Sequence, residues 1–130
     1  MSKTVKVFSP ATIGNIGPGF DVLGLAVKGM GDTVEVWKTS GDQIVIEEIL
    51  NADHDIPKDP DKNTAGIAAR EVLRLLKMNR GISINITKGM PVGSGLGSSA
   101  ASAAAAAYAV NLLFGEKLSK MDLILPATMA

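Results

Sequence analysis

The sequence predicts an α+β domain, and three segments lead to this class. Residues 82–87 alternate strictly between isoleucine and polar side chains, which is the period-two pattern of a strand with one buried face. Residues 64–77 place apolar side chains at helical spacing, and the alanine-rich residues 100–114 favour a second, closely packed helix. A chain of 130 residues can bury one core, so we expect a single domain or a part of one.

The first half of the chain contains the other predicted strands. β-branched and aromatic residues alternate there with polar residues, which indicates half-buried strands. We expect these strands to pair with one another in an antiparallel arrangement at the start of the fold. These strands are Thr4 to Phe8, Thr33 to Trp37 and Gln43 to Ile49. Residues 51–62 are polar and contain two prolines, Pro57 and Pro60, which exclude a continuous helix or central strand. We therefore expect a loop between the third strand and the first helix.

The second half begins with the amphipathic helix of residues 64–77, whose expected buried face contains Ala65, Ala69, Val72 and Leu76. The strand 82–87 then leads directly to a lysine and a glycine-rich segment. A last helix is predicted to start near Ser119, a plausible N-cap with Asp122 three positions later.

Composition and charge exclude several classes of function. Thirteen basic and thirteen acidic residues give zero formal charge, so we expect no nucleic acid partner. There are no cysteines, which excludes disulfides and thiolate chemistry. No signal peptide or membrane span is recognisable, so we expect a cytoplasmic protein without a membrane partner. Assembly into a homodimer is kept as an open alternative.

The glycine-rich segment predicts a phosphate-binding loop. Gly93, Gly95 and Gly97 free the backbone N–H groups that a phosphate needs, and Ser98 and Ser99 begin the following helix, whose N-terminus attracts anions. No lysine follows the last glycine, which excludes a Walker loop, and the final glycine of the dinucleotide fingerprint is absent. A plain structural turn is the alternative interpretation.

Two motifs carry a resemblance to a known family. The segment Met90 to Ala101 resembles the ATP-binding motif of the GHMP kinases, which act on galactose, homoserine, mevalonate and phosphomevalonate. The segment Ser9 to Ala26 is similar to the substrate-side motif of the homoserine kinases in that family, with Ile13-Gly14 as a departure. The resemblance implies a ribosomal protein S5 domain 2-like fold. It also implies an ATP:alcohol phosphotransferase that converts L-homoserine to O-phospho-L-homoserine in threonine biosynthesis.

The same resemblance implies roles for individual residues. Asn15 and Asp21 would contact homoserine, Asn63 would flank adenine, and Ser99 would ligate Mg²⁺. The residues implied to hold the ATP phosphates are Lys88, Pro91, Gly93, Ser94, Gly95, Leu96, Gly97, Ser98 and Ser99. No residue is assigned as a catalytic base.

Several elements of the family are expected outside these residues. They are a glutamate that completes the magnesium site, arginines for the substrate carboxylate and a second glycine-rich motif. We therefore expect residues 1–130 to be a truncated GHMP kinase N-terminal ATP-binding domain, without the C-terminal domain and inactive alone. The alternatives are another small-molecule GHMP kinase, a non-catalytic nucleotide-binding fragment, and an RNA-binding module, which the neutral charge disfavours.

Overall fold

The computed structural model describes residues 3–14, 24–52, 55–89 and 98–128. These residues form four strands and three helices, and the strands make one mixed sheet in the order β1-β2-β4-β3. In chain order the elements are β1 (Thr4–Gly14), β2 (Gly24–Lys38), β3 (Ile44–Leu50), α1 (Thr64–Leu75), β4 (Ile82–Thr87), α2 (Ser98–Leu113) and α3 (Lys120–Thr128). The predicted α+β class is confirmed.

The pairing of the strands corrects one prediction. β1 is antiparallel to β2, as expected, and β2 is antiparallel to β4. However, β3 does not pair with β2, and it lies parallel to β4 at the other end of the described sheet order. The physical reason is the connection, because α1 carries the chain from the end of β3 back to the start of β4, and such a crossover brings two strands together in parallel.

The first two strands are longer than predicted. β1 continues through Pro10 to Gly14, and its register with β2 shifts between Pro10 and Ala11. Proline lacks an N–H donor and is tolerated at the edge of a sheet or at a bulge, and Pro10 lies at both. Treating proline and glycine as strand breakers therefore makes the predicted strands too short.

The core lies between the sheet and the helices. The inward-facing valines of β2 and isoleucines of β4 are at most 2% exposed, and they are Val34, Val36, Ile82, Ile84 and Ile86. α2 packs against β1, β2, α1 and α3, and its small side chains allow close approach. Its buried alanines are Ala101, Ala103, Ala105, Ala106, Ala107 and Ala109.

None of the helices in the described ranges has the length and apolar character needed to cross a bilayer.

The alternation of isoleucine and polar residues in β4 predicts that its polar face is exposed, but this face is more buried than predicted. Ser83 is only 3% exposed, and its hydroxyl donates a hydrogen bond to Glu47 Oε1 at 3.3 Å. Ser83 pairs with Trp37 of β2 and with Val45 of β3, so strands on both sides cover it. A small polar residue thus fits a crowded position in the middle of the sheet.

The predicted cap of α3 is confirmed. Ser119 Oγ accepts a hydrogen bond from the Asp122 N–H at 3.2 Å, and Asp122 Oδ2 accepts one from the Ser119 N–H at 2.9 Å. These two bonds satisfy donors at the helix start reciprocally. Hydrogen bonds from Ser119 lower the pKa of the Asp122 carboxyl. The backbone N–H has the larger effect and the side chain the smaller one.

The lowered pKa of Asp122 makes the stability of the protein depend on pH in a defined direction. A carboxyl with a lowered folded-state pKa stabilises the fold at neutral pH, and this contribution disappears as pH falls through the folded-state pKa. We expect Asp122→Asn to unfold at lower urea concentration than the wild type at pH 7, with the difference shrinking once pH falls below the ordinary value of 3.8. Asp42→Asn, an exposed change outside α3, is the control. A difference that is constant from pH 7 to pH 3 would contradict the prediction.

Candidate functional site

A buried ion pair lies where β4 ends. Lys88 Nζ is 2.5 Å from Asp32 Oδ2, and the two residues are 6% and 0% exposed. Asp32 lies on β2, next to the segment that pairs with the end of β4. Burying two charges is costly unless the pair has good geometry and further hydrogen bonds. Further hydrogen bonds to this pair come from a side chain of α2 and from the backbone.

Ser102 of α2 supplies two of them. Its Oγ accepts a hydrogen bond from Lys88 Nζ at 2.9 Å and donates one to Asp32 Oδ2 at 2.6 Å. Ser102 is 2% exposed, so the three side chains form a buried hydrogen-bonded network. We call Asp32, Lys88 and Ser102 the polar cluster. It joins β2, the end of β4 and the first turns of α2.

The second oxygen of Asp32 contacts the backbone. Asp32 Oδ1 accepts a hydrogen bond from the Gly89 N–H at 2.9 Å. Residue 89 must be a glycine here, because a Cβ atom at this position would overlap the carbonyl oxygen of Gly31. The Lys88 N–H donates to the Leu50 carbonyl at 2.8 Å. The chain leaving β4 is therefore held on both sides, by β2 and by β3.

A cavity of about 200 Å³ lies beside the polar cluster. One water needs about 10–15 Å³, so this cavity can hold a group of many atoms. The lining combines apolar isoleucine side chains with polar groups, among them Lys88 and Ser102. The lining residues are Ile49, Asp55, Ile56, Pro57, Lys62, Asn63, Thr64, Ile86, Lys88 and Ser102. Such a mixture of apolar surface and few polar groups is typical of small-molecule sites.

Asn63 holds part of the cavity lining in place. Its Oδ1 accepts hydrogen bonds from the N–H groups of Ala65 at 2.9 Å and Gly66 at 3.3 Å, which makes it the N-cap of α1. Its Nδ2 donates to the Pro57 carbonyl at 2.9 Å. An N-cap usually adds about 1 kcal/mol to stability, and here the same amide also ties the loop to the helix. Asparagine just before a predicted helix is a signal that could have revealed the cap.

The structure brings together two residues for which a nucleotide role was predicted. Asn63 and Lys88 line the same cavity, although they belong to different elements. Of the other predicted residues, Ser98 and Ser99 begin α2, and the structure describes their backbone but not their side chains. The remaining ones lie outside the described residues, namely Asn15, Asp21, Pro91, Gly93, Ser94, Gly95, Leu96 and Gly97. Their roles stay predictions.

Magnesium has no described ligand set of its own. Within residues 3–14, 24–52, 55–89 and 98–128, no three acidic or histidine side chains come together to hold a metal ion. The assignment of Ser99 as a ligand of Mg²⁺ also stays a prediction.

Two members of the polar cluster were not predicted. Asp32 is a single acidic residue after a glycine, and Ser102 is one serine within an alanine-rich helix. The weak signal for Ser102 was polarity at a position that helical spacing places among buried alanines. For Asp32 no local signal exists, because its partners are 56 and 70 positions away in the sequence.

Comparison with known proteins agrees with this architecture. Residues 63–129 match the family profile described as GHMP kinases N terminal domain. A homoserine kinase from Methanococcus maripaludis is 48% identical over 122 residues, which cover 94% of this chain and 40% of that protein. The chain therefore spans about 40% of the length of this curated relative.

Solved structures show the same similarity. The crystal structure of a homoserine kinase from Cytophaga hutchinsonii superposes with a TM-score of 0.92 at 45% identity, covering 97% of this chain and 40% of that one. A mevalonate kinase from Methanococcus jannaschii has a TM-score of 0.76 at 19% identity, covering 98% of this chain and 45% of that one, which supports the fold alone. The profile match over about half of the chain and these similarities show that the chain belongs to the GHMP kinase family.

Proposed function

We propose that the full-length protein is a homoserine kinase. It transfers the γ-phosphoryl group of ATP to the side-chain hydroxyl of L-homoserine, giving O-phospho-L-homoserine and ADP in threonine biosynthesis. The observation that carries the nucleotide half of the proposal is the cavity shared by Asn63 and Lys88. The substrate half is supported by the 48% identity to a homoserine kinase over 94% of this chain.

The cavity provides different surfaces for the two ends of ATP. Ile49, Ile56 and Ile86 offer the apolar contact that suits a purine base. Lys88 and Ser102 provide polar groups on the side of α2, where the predicted phosphate loop ends. The amide of Asn63 is already engaged by the cap and by Pro57, so its contribution near adenine is to hold the wall in place.

The glycine-rich segment is proposed to hold the phosphates. Backbone N–H groups of Gly93, Gly95 and Gly97 would bind phosphate oxygens, and the N-terminus of α2 would add its own unpaired N–H groups. The hydroxyl of Ser99 would ligate Mg²⁺, which neutralises phosphate charge when it is bound. These groups position and polarise the phosphate chain rather than react with it.

The reaction then requires an aligned hydroxyl. The homoserine oxygen attacks the γ-phosphorus, the bond from this phosphorus to the oxygen bridging to the β-phosphate breaks, and the hydroxyl proton is released as the new bond forms. Asp21 is proposed to bind the substrate ammonium, and Asn15 to contact the substrate beside it. Binding rather than base catalysis is the role proposed for both residues.

A second candidate is another small-molecule kinase of the same family. Ile13-Gly14 departs from the homoserine kinase motif in the substrate-side segment. A third candidate, a protein that binds nucleotide without catalysis, would bind MgATP but release no ADP.

ADP release by the full-length protein separates these candidates. We expect ADP release from MgATP to depend on L-homoserine and to be much slower with mevalonate or galactose. Asp21→Asn preserves volume and removes the charge that would hold the substrate ammonium, so it should greatly reduce kcat/KM for homoserine and leave the affinity for MgATP unchanged. Faster turnover with another alcohol, or unchanged homoserine kinetics in the variant, would contradict the substrate assignment.

The setting of the reaction is proposed from the same similarities. We place the protein in the cytoplasm, acting on small molecules without a nucleic acid or membrane partner. A homodimer is compatible with this proposal, and sedimentation of the full-length protein would determine the oligomeric state.

A further inference from the structure

The carboxylate of Asp32 contacts the chain on both sides of residues 90–97. Its Oδ1 accepts from the N–H of Gly89, the last described residue before this segment. Its Oδ2 accepts from the hydroxyl of Ser102, in the first turns of the helix that follows. One buried side chain thus fixes the separation between the end of β4 and the start of α2.

Ser102 also connects the helix with the lysine. Its Oγ lies 2.9 Å from Lys88 Nζ, so a group four positions after the first residue of α2 holds the ammonium group directly. The orientation of a helix N-terminus decides where its unpaired N–H groups point. The polar cluster therefore sets the position of a fixed positive charge relative to the positive end of a helix.

Preorganised charges bind anions better than charges that must first move into place. The carboxylate of Asp32 balances the charge of Lys88 at a largely buried position, and it restrains the lysine to the cavity wall. A cluster needed only for packing would not have to include a residue that lines the cavity. Both Lys88 and Ser102 do so.

From this geometry we propose that Asp32 and Ser102 are positioning residues for the phosphates of ATP. They act through Lys88, through Gly89 and through the first turns of α2. The inference rests on the proposed nucleotide site. It predicts that loosening the cluster weakens binding of ATP and leaves binding of homoserine unchanged, because the homoserine residues belong to the separate segment that follows β1.

Ser102→Ala is the most informative variant. Alanine fits α2, where most buried neighbours are alanine, and the change keeps the pair between Asp32 and Lys88. Ser83→Ala is the matched control, since it also removes a buried hydroxyl that bonds a carboxylate, but it lies outside the cavity lining. Both variants are made in the full-length protein, with their unfolding curves measured in parallel.

Calorimetric titration with MgATP and steady-state kinetics provide the readouts. We expect Ser102→Ala to raise the Kd and KM for MgATP about tenfold, the scale of one lost hydrogen bond to a charged group, with an unchanged KM for homoserine. Ser83→Ala should leave the affinity for MgATP unchanged at a comparable loss of stability. An unchanged Kd in Ser102→Ala, or an equal weakening in both variants, would overturn the positioning role while the nucleotide site stands. A wild-type protein that binds no MgATP would overturn the proposed function and this inference together.

Discussion

Changing Asp32 to alanine is expected to reduce the free energy of unfolding by about 3–5 kcal/mol. The change removes the carboxylate that balances the buried charge of Lys88, and it removes the acceptor for the Gly89 N–H. Removing one partner of a buried ion pair leaves the other charge in the interior with fewer compensating contacts, and this costs more than the loss of a single surface contact. Urea denaturation of the wild type and the variant measures the difference.

A double variant provides the control for Asp32→Ala. Lys88→Met removes the charge and keeps a long apolar side chain, so the combination of both changes removes both charges of this pair. We expect the double variant to be more stable than Asp32→Ala alone, with a coupling energy that identifies the pair as the cause. A loss below about 1 kcal/mol in Asp32→Ala, the range of an exposed pair, would contradict the prediction.

Gly97→Val is expected to abolish binding of MgATP to the full-length protein. A branched side chain would stand where the proposed site requires the backbone to approach a phosphate, and valine resists the unusual dihedral angles that glycine allows. Titration calorimetry should detect no binding at concentrations that saturate the wild type. The fold should persist, as judged by circular dichroism.

Gly41→Val is the matched control for this change. Gly41 lies in the turn between β2 and β3, where a Cβ atom would meet only the Gln43 nitrogen, at 4.0 Å. This variant makes the same substitution far along the sequence from the glycine-rich segment, and it should bind MgATP like the wild type. Wild-type affinity in Gly97→Val would show that the segment is a structural turn and would remove it from the nucleotide site.

Local patterns predicted the elements whose signals are complete within a few residues. The alternation in 82–87, the helical spacing in 64–77 and the reciprocal cap of Ser119 and Asp122 all correspond to described elements. Each of these depends on contacts between close neighbours or on one buried face. Local sequence is sufficient for such features.

Local sequence patterns could not predict the arrangement of the strands or the polar cluster. β3 has the composition of any half-buried strand, and its place beside β4 follows from the crossover through α1. Asp32 and Ser102 are buried polar residues that become favourable only in each other's presence, together with Lys88. The predicted substrate residues Asn15 and Asp21, and most of the glycine-rich segment, lie outside the described residues.

The sheet order has a consequence for synthesis of the protein on the ribosome. β2 pairs on one side with β1, which is made before it, and on the other side with β4, which is made only after β3 and α1. Ser102 follows Asp32 by 70 positions, which at about 5–20 residues per second corresponds to roughly 4–14 s of translation. We expect Asp32 to stay hydrated during this interval, and one edge of β2 to stay open until β4 has been made. The polar cluster thus closes late, once α2 has left the exit tunnel.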